Sequence, residues 1–225
     1  MLYTKYAFLE DLLKKAINFD KIDMKTFTRD NFEDVFDCSD LDDGWDYQYG
    51  ASKLVIIPEH LNFVVKIPFG ADEWGSSCDP FKSAYYPKEK EYGWDYCKSE
   101  AEYFKLAEKA GVSFFFAKTT YIGSISGVPI YAQEKIDIQD DCYSRSYSDE
   151  ERSSSRKKAI KMGMWNCDFN DDFLAELFTF YSDSEVAALF DFIRTYQIRD
   201  LTSHNVGYDH VTGAPVLSDY SNFNE

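Results

Sequence analysis

Histidine is nearly missing from this chain, and cysteine, proline and glycine are sparse: 3 His, 5 Cys, 6 Pro and 11 Gly in 225 residues. With only His60, His204 and His210, no cysteine–histidine metal cluster is expected. The cysteines (Cys38, Cys78, Cys97, Cys142 and Cys167) are odd in number and never spaced C-x-x-C. A chain of this size needs no disulfide staples, so reduced thiols are the natural reading. No apolar run approaches about 18 residues. Lys5, Glu10 and Asp11 come early, so neither a signal peptide nor a spanning helix is expected. The protein reads as soluble and cytoplasmic. Basic excess is lacking too: 24 Lys+Arg face 40 Asp+Glu, a net charge of −16. Such a surface is repelled by phosphate backbones and anionic lipid heads, which argues against a nucleic-acid or membrane-surface partner. The acidity serves solubility, a basic protein partner or mimicry of nucleic acid.

What is present is a large apolar and aromatic fraction, 44% and 18%. That supports a globular core, with some rings left for a surface or a binding face. Leu2, Tyr6, Leu9, Leu13, Ala16 and Ile17 recur at helical spacing, an amphipathic first helix. Thr28, Asn31 and Phe32 open a short second one, and Asp40 to Gly44 form an acidic turn. Two β-branched runs follow, Lys53–Ile57 and Phe63–Ile67, each ended by proline, with a further strand before Gly50. Residues 69–94 are loop-like, Tyr96–Ala110 is helical, and Phe114–Ala117, Thr119–Ile125 and Ile130–Glu134 are strand-like. The remainder is mainly helical. Ser148-Asp149-Glu150-Glu151 matches a capping box, with Ser153–Ser155 on a solvated face. Two more helices cover 171–181 and 184–196, the latter with Val186, Leu189, Phe190 and Ile193 on one side, and a hairpin over 205–217 closes the pattern. Segregated strands and helices give an α+β class.

The most specific segment is Ile198-Arg199-Asp200-Leu201-Thr202-Ser203-His204-Asn205, followed by Val216-Leu217-Ser218-Asp219-Tyr220-Ser221. Phosphoryl transfer asks for positioning and charge neutralisation: a carboxylate to orient a hydroxyl, and oxygen ligands for a magnesium that keeps several waters. Asp200 suits the first task; Asn205 and Asp219, on either side of a hairpin, suit the second. The Arg-Asp-Leu-x-x-x-Asn spacing, with Asp-Tyr-Ser where Asp-Phe-Gly would stand, resembles the protein-kinase-like superfamily. Small kinase-like proteins of phages and bacteria are similar in texture here. The bland alternative is that Asp200 caps a turn and Asp219 ends a surface strand.

The resemblance implies a bilobal fold with ATP and Mg2+ as cofactors. Its expected parts are an N-terminal helical extension over 1–46, a strand-rich N-lobe over 47–137 and a reduced helical C-lobe over 138–225. It further implies that Lys66, ending Phe-Val-Val-Lys-Ile, grips the α- and β-phosphates and pairs with a helix glutamate, Glu100 in preference to Glu102. Residues i and i+2 point apart on a helix, so only one of the two can face the lysine. Gly50 and Ser52 stand at the phosphate loop, where one glycine replaces several. Gln133-Glu134-Lys135-Ile136 stands at the hinge, with backbone groups of Glu134 and Ile136 beside adenine, residues 69–94 become an insertion, and Arg199 has no activation loop to serve. Thr202 stands where many protein kinases carry lysine, and His204 is a polar loop residue or a substrate contact. Six residues follow Asp219, so the resemblance implies a C-terminally abbreviated member without a conventional peptide groove. The expected activity is an Mg-ATP-dependent transfer to an unknown hydroxyl, with a nucleotide and a possible protein substrate or partner. The alternative is a catalytically inactive kinase-like module, a pseudokinase or inhibitor, that binds nucleotide or protein.

Overall fold

Alternation along three short strands decides how the first half of the chain is built. A computed structural model describes residues 1–41, 43–50, 52–70, 95–137, 147–164, 169–198, 201 and 205–220. Strands β1 (Trp45–Tyr49), β2 (Lys53–Pro58), β3 (Phe63–Pro68), β4 (Thr119–Ile125) and β5 (Val128–Glu134) form an antiparallel sheet in the order β1-β2-β3-β5-β4. Leu54 faces Ile67 and Ile56 faces Val65, and all four are buried. The residues between them point to the other face, since side chains alternate with a period of two. That opposite face carries Lys53, Lys66, Tyr131, Gln133 and Thr119, through the pairs Lys66↔Tyr131 and Thr119↔Gln133.

The apolar face is covered by the N-terminal residues. Leu9, Leu13 and Ala16 of helix α1 (Ala7–Ala16), with Phe19, Phe27, Phe32 and Phe36, share one core with Leu54, Ile56, Val65, Ile67, Ile122 and Ile130. Buried residues from Leu2 to Phe36, within the stretch expected as a helical extension, therefore belong to the same core as the sheet. Phe32 packs its ring on Phe36, Tyr49 and Phe69 at centroid distances of 5.9, 4.7 and 5.9 Å. The chain also fits by backbone contact. A side chain on Gly70 would strike the Met24 carbonyl, and Gly123, at φ +126°, lies against Leu2 and the Met1 carbonyl. Tyr3 N–H donates to the Ile122 carbonyl at 2.8 Å, so the first residues cover the β4 edge.

Two expected elements take another form. The second helix, expected from Thr28, is only a 3-10 turn at Phe32–Asp34. The Asn31 side chain accepts from Thr28 N–H at 2.8 Å and donates to the Thr26 carbonyl at 2.7 Å, satisfying the backbone outside a helix. Phe114–Ala117 is not a full strand. Ser113–Phe115 is a 3-10 turn, and pairing is limited to a bridge between Phe116 and Leu217.

The chain divides into two compact units, Met1–Ala101 with Thr119–Glu134, and Glu102–Lys118 with Lys135–Glu225. The division runs through helix α2 (Tyr96–Ala110) and again between Glu134 and Lys135. The second unit has helices α3 (Asp149–Lys161), α4 (Asp171–Phe180) and α5 (Asp183–Tyr196). Its antiparallel sheet is β6 (Ile136–Asp137), β7 (Val206–Asp209) and β8 (Pro215–Leu217), in the order β6-β7-β8. Helices α3 and α5 each begin with a complete capping box, at Ser148/Glu151 and Ser182/Glu185. Of Ser153–Ser155, expected on a solvated face, Ser153 and Ser154 are exposed and Ser155 is half-buried. Val186, Leu189, Phe190 and Ile193 are all buried along α5. Helix α3 is almost wholly polar and is tied to α4 by charge: Arg152 Nε donates to Asp172 at 2.7 Å, and Arg156 pairs with Asp171. The architecture is mixed α+β, with five α-helices among the described residues. No helix among them is long and apolar enough to cross a membrane.

Candidate functional site

Glu100 lies in the first turns of α2 with its side chain fully buried. Its Oε2 accepts from Lys66 Nζ at 2.8 Å, and its Oε1 accepts from Lys53 Nζ at 2.6 Å. Thr119 Oγ1 and Gln133 Nε2 also donate to Oε2, at 3.3 and 3.2 Å, and Gln133 Nε2 reaches Thr119 Oγ1 at 2.8 Å. Lys53, Lys66, Thr119 and Gln133 are each at least 95% buried, so the carboxylate is held in a place where charge interactions are only weakly screened by water. Removing a carboxylate from water is tolerated when its oxygens are well hydrogen-bonded, and here donors from β2, β3, β4 and β5 reach it, one at Oε1 and three at Oε2. Glu100, the preferred of the two candidate glutamates, meets Lys66.

The sheet register explains why both lysines arrive together. Val55 stands opposite Lys66, so Lys53, two residues earlier on β2, lies on the same face as Lys66. Helix α2 is then fixed so that Glu100 points at them. Asp95, just before the helix, accepts from Lys98 N–H at 2.8 Å through Oδ1, a cap on the first turn. Its other oxygen, Oδ2, accepts the Tyr131 hydroxyl at 2.5 Å. One carboxylate therefore pins the start of α2 to β5. Burial, and then the negative charge of Asp95, hold the Tyr131 hydroxyl far above its usual range, so it remains a donor. Burial likewise holds the Cys97 thiol well above its ordinary value, with Lys53 opposing the effect. Among the described residues, Cys38 is exposed, Cys97 is buried, and neither is in a disulfide.

Gly50 and Ser52 bracket the β1–β2 connection. Gly50 is exposed and donates N–H to the Lys53 carbonyl at 3.1 Å, while Ser52 is buried and its carbonyl accepts from Phe69 N–H at 2.9 Å. Glu134, exposed, ends β5 in the first unit. Ile136, half-buried, belongs to β6 in the second unit and pairs with Asp209.

In the second unit the β7–β8 hairpin brings Asn205 and Asp219 together. Val206 pairs with Leu217, which sets Asn205 beside Ser218. The Asn205 carbonyl accepts from Ser218 N–H at 2.9 Å and from Asp219 N–H at 3.4 Å, and both Asn205 and Asp219 are half-buried. The next residue anchors this end: Tyr220 is fully buried, its hydroxyl donates to the Ala117 carbonyl at 2.7 Å, and its ring meets Phe116 edge-on at 5.0 Å. An amide oxygen and a carboxylate are hard donors suited to magnesium, which takes its remaining positions from water and phosphate. No larger acidic or cysteine–histidine cluster occurs among the described residues.

Asp200, Arg199, Thr202 and His204 lie outside the described residues, as do residues 71–94, most of the expected insertion; Ile198 and Leu201 on either side of Asp200 are buried. Lys53, Thr119, Asp95 and Tyr131 were not singled out by sequence, and Gln133 was expected only as part of the hinge stretch 133–136. That Lys53 shares a face with Lys66 follows from the strand register, which no local feature of the sequence marks. Comparison with protein-family models, with curated proteins and with solved structures finds no match for this chain.

Proposed function

We propose that this protein is an Mg-ATP-dependent phosphotransferase of the protein-kinase-like type, acting in the cytoplasm on a hydroxyl substrate. The observation that carries the reading is the buried ion pair between Lys66 of β3 and Glu100 of α2, at 2.8 Å. Such a pair fixes a long, flexible lysine at one point, which is what gripping a phosphate requires. Tyr131 and Asp95 hold the helix end that carries Glu100. In this reading Lys66 binds the α- and β-phosphates, Asp200 accepts the proton of the attacking hydroxyl, and Asn205 and Asp219 hold magnesium. The metal, when bound, neutralises charge on the phosphate oxygens. Gly50 and Ser52 lie at the phosphate end of the nucleotide, Glu134 and Ile136 at its base.

The test is thermal unfolding with ATP, with and without magnesium. A ligand at 100 times its Kd adds about 2.7 kcal/mol, a rise of roughly 5–10 °C in a domain of this size. A rise that needs magnesium and is lost in Asp219→Ala supports the reading. No rise at millimolar Mg-ATP overturns it.

A further inference from the structure

The phosphotransfer reading gives Lys66 a task and leaves Lys53 without one. Lys53 is the first residue of β2, one position past Ser52, and its carbonyl closes the Gly50 turn. Its side chain is buried, with Nζ 2.6 Å from Oε1 of Glu100 while Lys66 occupies Oε2. A single buried carboxylate thus positions two ammonium groups, one on each of its oxygens. For folding alone, an apolar residue at the start of β2 would avoid dehydrating a second cation. The turn it follows has one glycine, so it lacks the conformational freedom of a glycine-rich loop to fold its amides around an anion, and the Gly50 N–H is bonded to the Lys53 carbonyl. A net charge of −16 also opposes any polyphosphate, which makes local cations decisive.

We propose that Lys53 is a second phosphate-binding residue, so that Lys53 and Lys66 take different phosphate groups of the nucleotide tail. Two cations set apart by the width of one carboxylate match successive phosphates better than a single one. The site then selects di- and triphosphates over monophosphates, with side-chain charge standing in for the amides of a glycine-rich turn. This inference rests on the ATP reading of the same site.

The experiment is calorimetric titration of the full chain with ATP, ADP and AMP in magnesium. It compares the wild type with Lys53→Met, Lys53→Gln, Lys53→Arg and Lys66→Met. The expected result is a wild-type preference for ATP over AMP. Lys53→Met weakens ATP and ADP about tenfold, or about 1.4 kcal/mol, and AMP far less. Lys53→Arg restores most of the preference. Lys53→Gln keeps a donor for Glu100 without the charge, and shows the same loss should the methionine variant fail to fold. An ATP-to-AMP ratio unchanged in Lys53→Gln, with Lys66→Met still impaired, overturns the inference and makes Lys53 a clamp for Glu100. A wild type that binds no ATP overturns the phosphotransfer reading, and this inference with it.

Discussion

Lys66 and Glu100 stand 34 residues apart in sequence and meet at 2.8 Å, Nζ to Oε2, with both side chains withdrawn from water. The contact joins the sheet to α2 and is shared with Lys53, which takes the other carboxylate oxygen. Its energetics differ from those of an exposed pair, because neither partner can be rehydrated cheaply when the other is removed.

Glu100→Gln is therefore expected to be the costliest single change in the cluster. It removes the carboxylate on which both ammonium groups converge, a loss of about 3–5 kcal/mol. Lys66→Met leaves Glu100 held by Lys53, Thr119 and Gln133, so it loses less. Scanning calorimetry of both variants checks the order, at roughly 2–4 °C per kcal/mol. A Lys66→Met protein as unstable as Glu100→Gln would contradict the shared-carboxylate account.

Under the proposed phosphotransfer, Asp200→Asn is expected to separate transfer from binding. The variant keeps the magnesium-dependent rise in melting temperature with ATP but loses phosphate transfer, read with labelled ATP against the protein and candidate hydroxyl acceptors. Retained transfer would remove Asp200 from the chemistry. Nucleotide binding with no transfer in the wild type would favour the inactive module.

Gly123→Ala is expected to destabilise more than Gly111→Ala. Both glycines have positive φ, +126° and +74°, but an added Cβ at Gly111 meets nothing within 4 Å, while at Gly123 it comes 2.7 Å from Leu2 Cα. Backbone strain costs about 1–3 kcal/mol at such positions, and at Gly123 the displaced N-terminal residues add to it. Urea unfolding of the two variants gives the comparison, and equal losses would show that the Leu2 contact yields freely.

Acid should weaken the start of α5. The Ser182 hydroxyl and backbone N–H hold the Glu185 carboxyl below its ordinary value of 4.5. A folded-state value lowered in this way contributes stability above 4.5 that is lost as the pH falls through the depressed value. The melting-temperature gap between wild type and Glu185→Ala, followed by circular dichroism, is expected to be full at pH 7 and to close on acidification. A gap that widens in acid would reverse the assignment.

Much of the fold was legible because it depends on local rules. Periodicity gave α1, α2 and α5, and the proline breaks gave β2 and β3. Ser148 and Glu151 marked the start of α3 through a side-chain to backbone exchange needing no distant partner. The misreadings came where distant contacts or side-chain hydrogen bonds override the pattern. Asn31 bonds the backbone and replaces a helix with a turn. Phe114 to Ala117 looks like a strand, yet Phe115 and Phe116 N–H groups bond back to Val112 and Ser113. At the site, Lys66 and Glu100 were found by analogy of order. Lys53 looked like the polar start of a strand and Tyr131 like one more strand aromatic, since neither has a local feature that marks it.

The sequence by itself determined the acidic charge, the period-two alternation within each of β2 and β3, and the helical spacing that lets only one of Glu100 and Glu102 turn toward Lys66. Those properties follow from covalent geometry and composition, which no distant residue can change. Only the tertiary structure decided that the N-terminal aromatics cover the other face, that Asp95 and Tyr131 fix the helix, and that both lysines share one carboxylate. Each of these depends on residues far apart in the chain being brought within hydrogen-bond distance, and a buried charge is stable only where that happens.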